Sequence, residues 1–236
     1  MKRALRVAGF TLIGAGGLII AFLIYQLFVT DLINAGTQAR ASVELAQVLE
    51  ERRQTIAETS VTTSTTMPDT STTTPPTASL FTEPVVAEGQ PLGSITINKI
   101  NLEAVLFEGV DRTTLKDGPG HMPWTPLPGQ PGNAVISGHR TTYGRPFYEL
   151  DQLVVGDRIE IETAIGVSVY EVKLIEVVLP TDVYVTEAMP GAWLTLTTCH
   201  PRFSAAKRLV IQAEMVDGPN FEYVETLEAT QGQEAA

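Results

Sequence analysis

The sequence predicts an all-β domain, a barrel or a sandwich, between residues 91 and 217. Short alternating or apolar runs recur along this segment, and Gly, Pro, Asn and Asp residues separate them. Residues 158–162 alternate charged and apolar side chains, as expected of a strand with one wet and one buried face. About seven short strands are typical of a barrel or a sandwich. The candidate strands are 94–97, 102–107, 134–137, 158–163, 167–178, 193–198 and 208–215.

The N-terminus predicts a membrane anchor. An uncharged run over residues 7–30 follows Lys2, Arg3 and Arg6. As a helix it would measure about 36 Å, more than the roughly 30 Å of a hydrocarbon core, whereas the apolar part of a signal peptide has about 7–15 residues. The basic residues before the run predict that residues 1–6 are cytoplasmic and that the β domain is extracellular on a single-pass anchor in the cell membrane. A cleaved signal peptide is the alternative.

Three further segments differ from the β domain in composition. Residues 31–59 are rich in Ala, Glu, Gln, Leu and Arg and predict a solvated helical stalk next to the membrane. Residues 60–90 predict a linker, because 15 of the 18 residues from 60 to 77 are Ser, Thr or Pro and such a sequence buries little apolar surface. Residues 218–236 are acidic and predict a frayed C-terminal tail.

Charge and cysteine content limit the possible functions. A formal net charge of -11 argues against a nucleic-acid partner, which normally requires a basic surface. The single cysteine, Cys199, cannot form an intrachain disulfide, so in an exported chain it indicates intermolecular pairing or a reactive nucleophile. No paired zinc-ligand spacing occurs, and we expect Asp182 and Glu187 to be solvated and not to bind calcium. We therefore expect no metal and no cofactor.

The strand before Cys199 predicts which side chains share its face. Because strand residues alternate, Leu194 and Leu196 face the core while Cys199 faces outward. His200 would then leave from the opposite face, which makes it a poor base for Cys199. In the next strand the same alternation places Arg208 on the outer side with Cys199. A permanently charged guanidinium there can stabilise a thiolate and the oxyanion of acyl transfer.

Two further histidines are candidates for proton transfer. His139 ends the apolar strand 133–138, where a glycine and a strand end can expose a catalytic imidazole. The alternative is a histidine that only ends a strand. His121 lies in a Gly- and Pro-rich stretch and reads as a structural turn residue.

Four motifs resemble those of a sortase: Gly-Pro-Gly-His-Met-Pro from Gly118, Ile-Ser-Gly-His-Arg from Ile136, Gly-Asp-Arg-Ile from Gly156 and Thr-Leu-Thr-Thr-Cys from Thr195. The resemblance covers residues 91–217 and implies a closed barrel of about seven or eight strands with short helical turns. It also implies a cysteine transpeptidase. In that family likeness Cys199 is the nucleophile, His139 is the general acid and base, and Arg208 stabilises the transition state.

The stretch His-Arg-Thr-Thr-Tyr-Gly from His139 looks like the class E branch of the family. That likeness implies sorting motifs of the Leu-Ala-x-Thr-Gly or Leu-Pro-x-Thr-Gly type on surface proteins, with cleavage between Thr and Gly and transfer to a cell-wall amine. Tyr143 would contact the substrate, and backbone donors near Thr198 would help bind the oxyanion. Tyr143 could instead be a packing residue.

Two other functions remain open on the sequence. A non-catalytic envelope domain could bind a wall peptide and carry Cys199 as an inert packed thiol. A cysteine peptidase could use the same residues with water as the acceptor.

Overall fold

The computed structural model describes residues 2–25, 30–62 and 79–234. Within these ranges eight strands form a closed barrel in the order β1-β2-β3-β4-β7-β8-β6-β5, which confirms the predicted all-β class and the closed barrel. The strands are β1 (Pro91–Ile97), β2 (Leu102–Glu108), β3 (Gly120–His121), β4 (Gly132–Ser137), β5 (Arg158–Thr163), β6 (Gly166–Val178), β7 (Ala192–His200) and β8 (Lys207–Asp217). The α-helices are α1 (Lys2–Ile24), α2 (Thr30–Thr62), α3 (Thr114–Asp117) and α4 (Phe221–Glu234).

Alternating side chains fill the barrel. Ile159 and Ile161 of β5 are fully buried in the main core, together with Leu194 and Leu196 of β7. All seven predicted strands are present, and β3 is the strand that the sequence did not predict. Although it has only two residues, β3 pairs in parallel with β2 and antiparallel with β4, so it completes the ring. In the part of the chain that the structure describes, three short 3₁₀ turns interrupt the loops, at Asn98–Ile100, Leu150–Gln152 and Val183–Thr186.

Helix α2 is where the prediction of a solvated stalk over 31–59 was wrong. The helix is present, but Ala41, Leu45 and Leu49 form a buried cluster with Val105 and Phe107 of β2. These α2 residues are spaced four apart, so they lie on one helical face. Burying a leucine contributes roughly 1.5–3 kcal/mol, so the apolar stripe docks the helix onto the barrel.

The segments next to the barrel also pack against it. Val86 belongs to the main core, so the described part of the predicted 60–90 linker, residues 79–90, is attached to the barrel. The backbone N–H of Phe81 donates to Oδ1 of Asn220 at 2.7 Å. The predicted frayed tail at 218–236 was wrong in its first part, because α4 begins at Phe221 and buries Val224 in the main core.

No helix in the three described ranges combines the length and the apolar character needed to cross a bilayer. The predicted anchor over residues 7–30 is therefore not confirmed. Residues 26–29 of that segment lie outside the described residues, as do residue 1, residues 63–78 of the predicted linker and residues 235–236 of the predicted tail.

Candidate active site

Strand pairing brings Cys199 and Arg208 together. The two residues are directly opposite each other in the antiparallel pair β7–β8. Leu209 and Ile211 face the main core, as do Leu194 and Leu196, so Cys199 and Arg208 lie on the outer face, as the sequence predicts. Cys199 is half-buried and unpaired, so the thiol is not sealed inside the core.

The guanidinium of Arg208 is held at the β7–β8 turn. Its Nη1 donates to the carbonyl oxygens of Ala205 at 3.1 Å and Lys207 at 3.0 Å. Because arginine presents five donors in a rigid fork, these two bonds orient the group and leave it further donors.

A groove runs along the same outer face. It has a volume of about 340 Å³ and is lined by Thr197 and Arg208 beside the site and by Trp124, Leu179 and Val183 further away. The indole of Trp124 is 70% exposed, which is unusual for so large an apolar side chain. The groove therefore joins an apolar surface to the charged guanidinium, a combination suited to an extended peptide.

The parallel pairing of β4 with β7 determines where His139 lies relative to Cys199. Ser137 pairs with Thr197, and each strand then continues two residues to the catalytic candidate. Beyond the last pair, the Gly138 N–H donates to the Thr197 carbonyl at 3.1 Å. The register therefore carries His139 and Cys199 to the same end of the barrel.

Thr198 connects these two strands through its side chain. Its hydroxyl donates to the Gly138 carbonyl at 2.8 Å and the residue is 3% exposed. The side chain is thus closed to a substrate and instead fixes the backbone just before His139. A contact between the backbone near Thr198 and a substrate stays a prediction.

His139 has an unusual environment. Burial, and secondarily the positive charge of Lys116, lower the pKa of its imidazole below the ordinary histidine value. Its Nε2 is buried and has no hydrogen-bond partner among the described residues. Burying a ring nitrogen without a hydrogen-bond partner costs free energy. Such a nitrogen is typical of a proton-transfer residue, whose partner is supplied by the reacting group. The Tyr143 ring lies 5.1 Å from the His139 ring, centroid to centroid, at a 43° angle.

His200 is turned away from this chemistry. Its Nδ1 accepts a hydrogen bond from Nη1 of Arg140 at 2.9 Å, and the same Nη1 lies 3.3 Å from the Cys199 carbonyl oxygen. Arg140 is 2% exposed, and its Nη2 pairs with Asp151 at 2.8 Å. The bond to Nδ1 agrees with the prediction that His200 is a poor base for Cys199, which stays a prediction. Sequence reasoning missed Arg140, whose position next to His139 was the available signal.

His121 is a structural residue, as predicted, although it lies in strand β3 and not in a turn. Its ring is buried between the Glu108 carboxylate, 2.8 Å from Nδ1, and the Pro126 carbonyl, 2.9 Å from Nε2. Both ring nitrogens are occupied, so His121 has no free nitrogen for Cys199.

Within the described ranges, no cluster of three or more His, Cys, Asp or Glu side chains is arranged to hold a metal ion. Asp182 instead accepts the Leu179 N–H at 2.7 Å in the loop before β7.

The fold and the site together define a β-barrel protein that gathers a thiol, an imidazole and a guanidinium at one end. The sortase domain model matches residues 95–216, and the chain belongs to the sortase family.

Relatives from two branches of the family match this chain. Sortase D of Bacillus subtilis is 35% identical over 133 residues, which cover 54% of this chain and 65% of that protein. Sortase SrtE1 of Streptomyces coelicolor, a class E name, is 30% identical over 145 residues, or 55% of this chain and 41% of that protein. The chain thus spans about half the length of these curated relatives.

Solved structures support the same fold. A Clostridium perfringens sortase D5 superposes with a TM-score of 0.61 over 77% of this chain and 99% of that chain, and at 24% identity it supports the fold alone. A sortase E mutant from Streptomyces avermitilis has a TM-score of 0.52 at 29% identity and covers 56% of this chain and 91% of that chain.

Proposed function

We propose that this chain is a cysteine transpeptidase of the class E type that joins sorting-motif proteins to a cell-wall amine. The observation that carries the proposal is the pairing of Cys199 with Arg208 on the outer face, at the same end of the barrel as His139. A nucleophile, a proton carrier and an oxyanion stabiliser are the three groups that acyl transfer through a thioester requires.

In the proposed first half-reaction, the Cys199 thiol gives its proton to neutral His139, and the resulting thiolate attacks the carbonyl carbon of the Thr–Gly bond. Arg208 and backbone donors near Thr198 stabilise the oxyanion that forms. The carbon–nitrogen bond then breaks, and protonated His139 gives its proton to the leaving glycine amine. The products are a Cys199 thioester and a released C-terminal fragment.

In the second half-reaction an acceptor amine attacks the thioester carbonyl. His139, now neutral, takes a proton from the amine, and the carbon–sulfur bond breaks to regenerate the thiolate. The net reaction exchanges one amide for another, so it needs no metal, oxidant or cofactor. The lowered pKa of His139 favours the neutral imidazole that this step requires.

The groove supports a peptide substrate. Apolar walls at Leu179 and Val183 lead to Arg208, so an apolar motif residue would pack there while the scissile carbonyl reaches Cys199. Tyr143 lies on the His139 side, where it would contact the motif. A sortase C of Clostridium perfringens, 30% identical, has been solved with a C-terminal cell-wall sorting motif. A preference for Leu-Ala-x-Thr-Gly over Leu-Pro-x-Thr-Gly rests on the class E likeness.

The proposed location is the outer face of the cell membrane. Helix α1 exposes apolar side chains along its length, including Phe10, Leu18 and Phe22, and basic residues precede it. Membrane fractionation of the full chain, combined with protease accessibility of the barrel in intact cells, tests this proposal. Release of the chain into the soluble fraction would contradict it.

The function is tested by incubating the full chain with Leu-Ala-x-Thr-Gly and Leu-Pro-x-Thr-Gly peptides and a glycine amine. The full chain is required because α2 packs on the barrel. The expected product is a ligated peptide from the wild-type protein and none from Cys199→Ala. A hydrolysed peptide that stays unligated at high amine concentration would identify a cysteine peptidase, and no product with either peptide would contradict the motif assignment.

A further inference from the structure

The N-terminal end of α2 lies against the loop that follows His139. Oδ1 of Asp31 accepts the backbone N–H of Gly144 at 3.1 Å. Oδ2 of the same carboxylate pairs with the guanidinium of Arg145 at 2.8 Å. One side chain of α2 therefore holds two consecutive residues of the loop.

The loop needs such contacts at this point. Tyr143, Gly144 and Arg145 all have left-handed backbone conformations, with φ values of 53°, 73° and 51°. Glycine adopts this region freely, but tyrosine and arginine do so at a conformational cost that the surroundings must offset. Asp31 binds the second and third of these residues, so it supports the conformation that presents Tyr143 beside His139.

The same helix also holds α3. Nδ2 of Asn34 donates to the carbonyl oxygens of Lys116 at 2.8 Å and Asp117 at 3.0 Å. Nε2 of Gln38 donates to the Asp117 carbonyl at 2.7 Å, and its Oε1 accepts the Val105 N–H at 2.7 Å. Asn34 is 8% exposed, so its bonds are shielded from water.

Two glycines fit these side chains. A Cβ on Gly144 would lie 2.0 Å from Oδ1 of Asn34, and a Cβ on Gly118 would lie 2.4 Å from Nε2 of Gln38. A larger residue at either position would force the Asn34 or Gln38 side chain out of its present place and so disturb its hydrogen bonds to α3. The close approach of α2 therefore depends on glycine at both positions.

The loop after His139 and helix α3, both bonded by α2, carry side chains that lie near His139. Tyr143 stacks at a tilt on the His139 ring, and Nζ of Lys116 lies 5.7 Å from the Tyr143 ring centroid. We propose that the first turns of α2 are part of the active-site scaffold and that Asp31 is a positioning residue for His139 and Tyr143. The proposal rests on the transpeptidase function proposed above for its kinetic readout.

The test compares the two ends of α2 in the full chain. Asp31→Ala removes the ion pair with Arg145, and Arg53→Ala removes the ion pair of Arg53 with Glu162, also 2.8 Å long and solvent-accessible. Each variant truncates one side chain through which α2 contacts the rest of the protein, but only Asp31 contacts the active-site loop. Asp31→Asn keeps an oxygen that can accept the Gly144 N–H and loses the charge.

Asp31→Ala is expected to lower kcat/KM for the sorting peptide by about tenfold, mostly through kcat, because small misplacements of catalytic groups are costly. Asp31→Asn should recover part of the loss, and Arg53→Ala should stay within about twofold of wild type. Equal losses in Asp31→Ala and Arg53→Ala, or no loss in either, would overturn the proposal.

A second readout does not depend on the peptide. The rate of Cys199 alkylation by iodoacetamide as a function of pH reports the thiol and its imidazole neighbour directly. Asp31→Ala should change this profile and Arg53→Ala should not. If the wild-type chain fails to ligate any peptide, the proposed function fails, while the alkylation profiles still decide whether α2 positions the site. Identical profiles in all variants would contradict the inference.

Discussion

The β7–β8 hairpin and the loop over residues 139–147 build the same site in different ways. In the hairpin, Cys199 and Arg208 face each other because two long antiparallel strands pair residue by residue. In the loop, His139 and Tyr143 depend on polar contacts that α2 makes with the loop and with α3. The buried Arg140 of the loop itself adds a hydrogen bond to the Cys199 carbonyl.

This difference separates the robust part of the site from the adjustable part. Strand pairing resists single substitutions, because its hydrogen bonds are made by the backbone: Cys199 pairs with Arg208, and Arg208 pairs on its other side with Val178 of β6. A loop with three left-handed residues is held by a few polar contacts, so changes far from Cys199 can move the imidazole. We therefore expect substitutions around the loop to alter the proton-transfer step while leaving the nucleophile in place.

The largest expected effect tests the hairpin. Arg208→Ala removes the cation opposite Cys199 and should lower kcat by about 10²–10³-fold, the usual loss when one oxyanion donor is removed. The matched control is Lys207→Ala, which removes the exposed neighbouring charge in the same turn and should have little effect. Steady-state ligation kinetics measure both, and a comparable loss in the two variants would mean that general charge at the turn, and not the position of Arg208, is what matters.

Arg140→Met tests the connection between loop and hairpin. It removes the buried guanidinium that bonds the Cys199 carbonyl, His200 and Asp151, so the free energy of unfolding should fall by about 2–3 kcal/mol. Arg202→Met is the comparison, because Arg202 pairs with Glu149 and Asp151 at the surface and should cost about 1 kcal/mol or less. Urea unfolding of both variants measures the difference, and the reverse order would contradict a structural link through Arg140.

The smallest effect is a pH shift. The positive charge of Lys116 disfavours the imidazolium of His139, so Lys116→Met should raise the pKa of His139, while burial keeps that pKa below the ordinary value. The limb of the kcat/KM profile that reports His139 then moves to higher pH. Lys99→Met, which breaks an ion pair with Asp157 on a distant part of the barrel, is the control. A shift to lower pH, or the same shift in both variants, would exclude the assigned cause.

Local alternation explains why the hairpin was predictable from sequence. The pattern around Leu194, Leu196, Leu209 and Ile211 specifies which face is buried, and the outward position of Cys199 and Arg208 follows from it. The strand β3 was missed because two residues, Gly120 and His121, carry no alternation to read.

The docking of α2 could not be read in the same way. Leu45 and Leu49 predict a helical face, but nothing local indicates that Val105 and Phe107 of β2 cover it. The contacts of Asp31 with Gly144 and Arg145 join residues more than a hundred positions apart. Local pattern determines the elements and their buried faces, whereas long-range polar contacts arise only when the chain is folded.

The account is tested most directly by trapping the acyl-enzyme. The full chain is mixed with a Leu-Ala-x-Thr-Gly peptide without added amine, quenched in acid and examined by intact-mass and peptide-mapping mass spectrometry. We predict one added acyl group ending at Thr, located on Cys199, absent from Cys199→Ala and discharged when a glycine amine is added before the quench. An adduct on another residue, or peptide turnover that persists in Cys199→Ala, would contradict a thioester mechanism at Cys199.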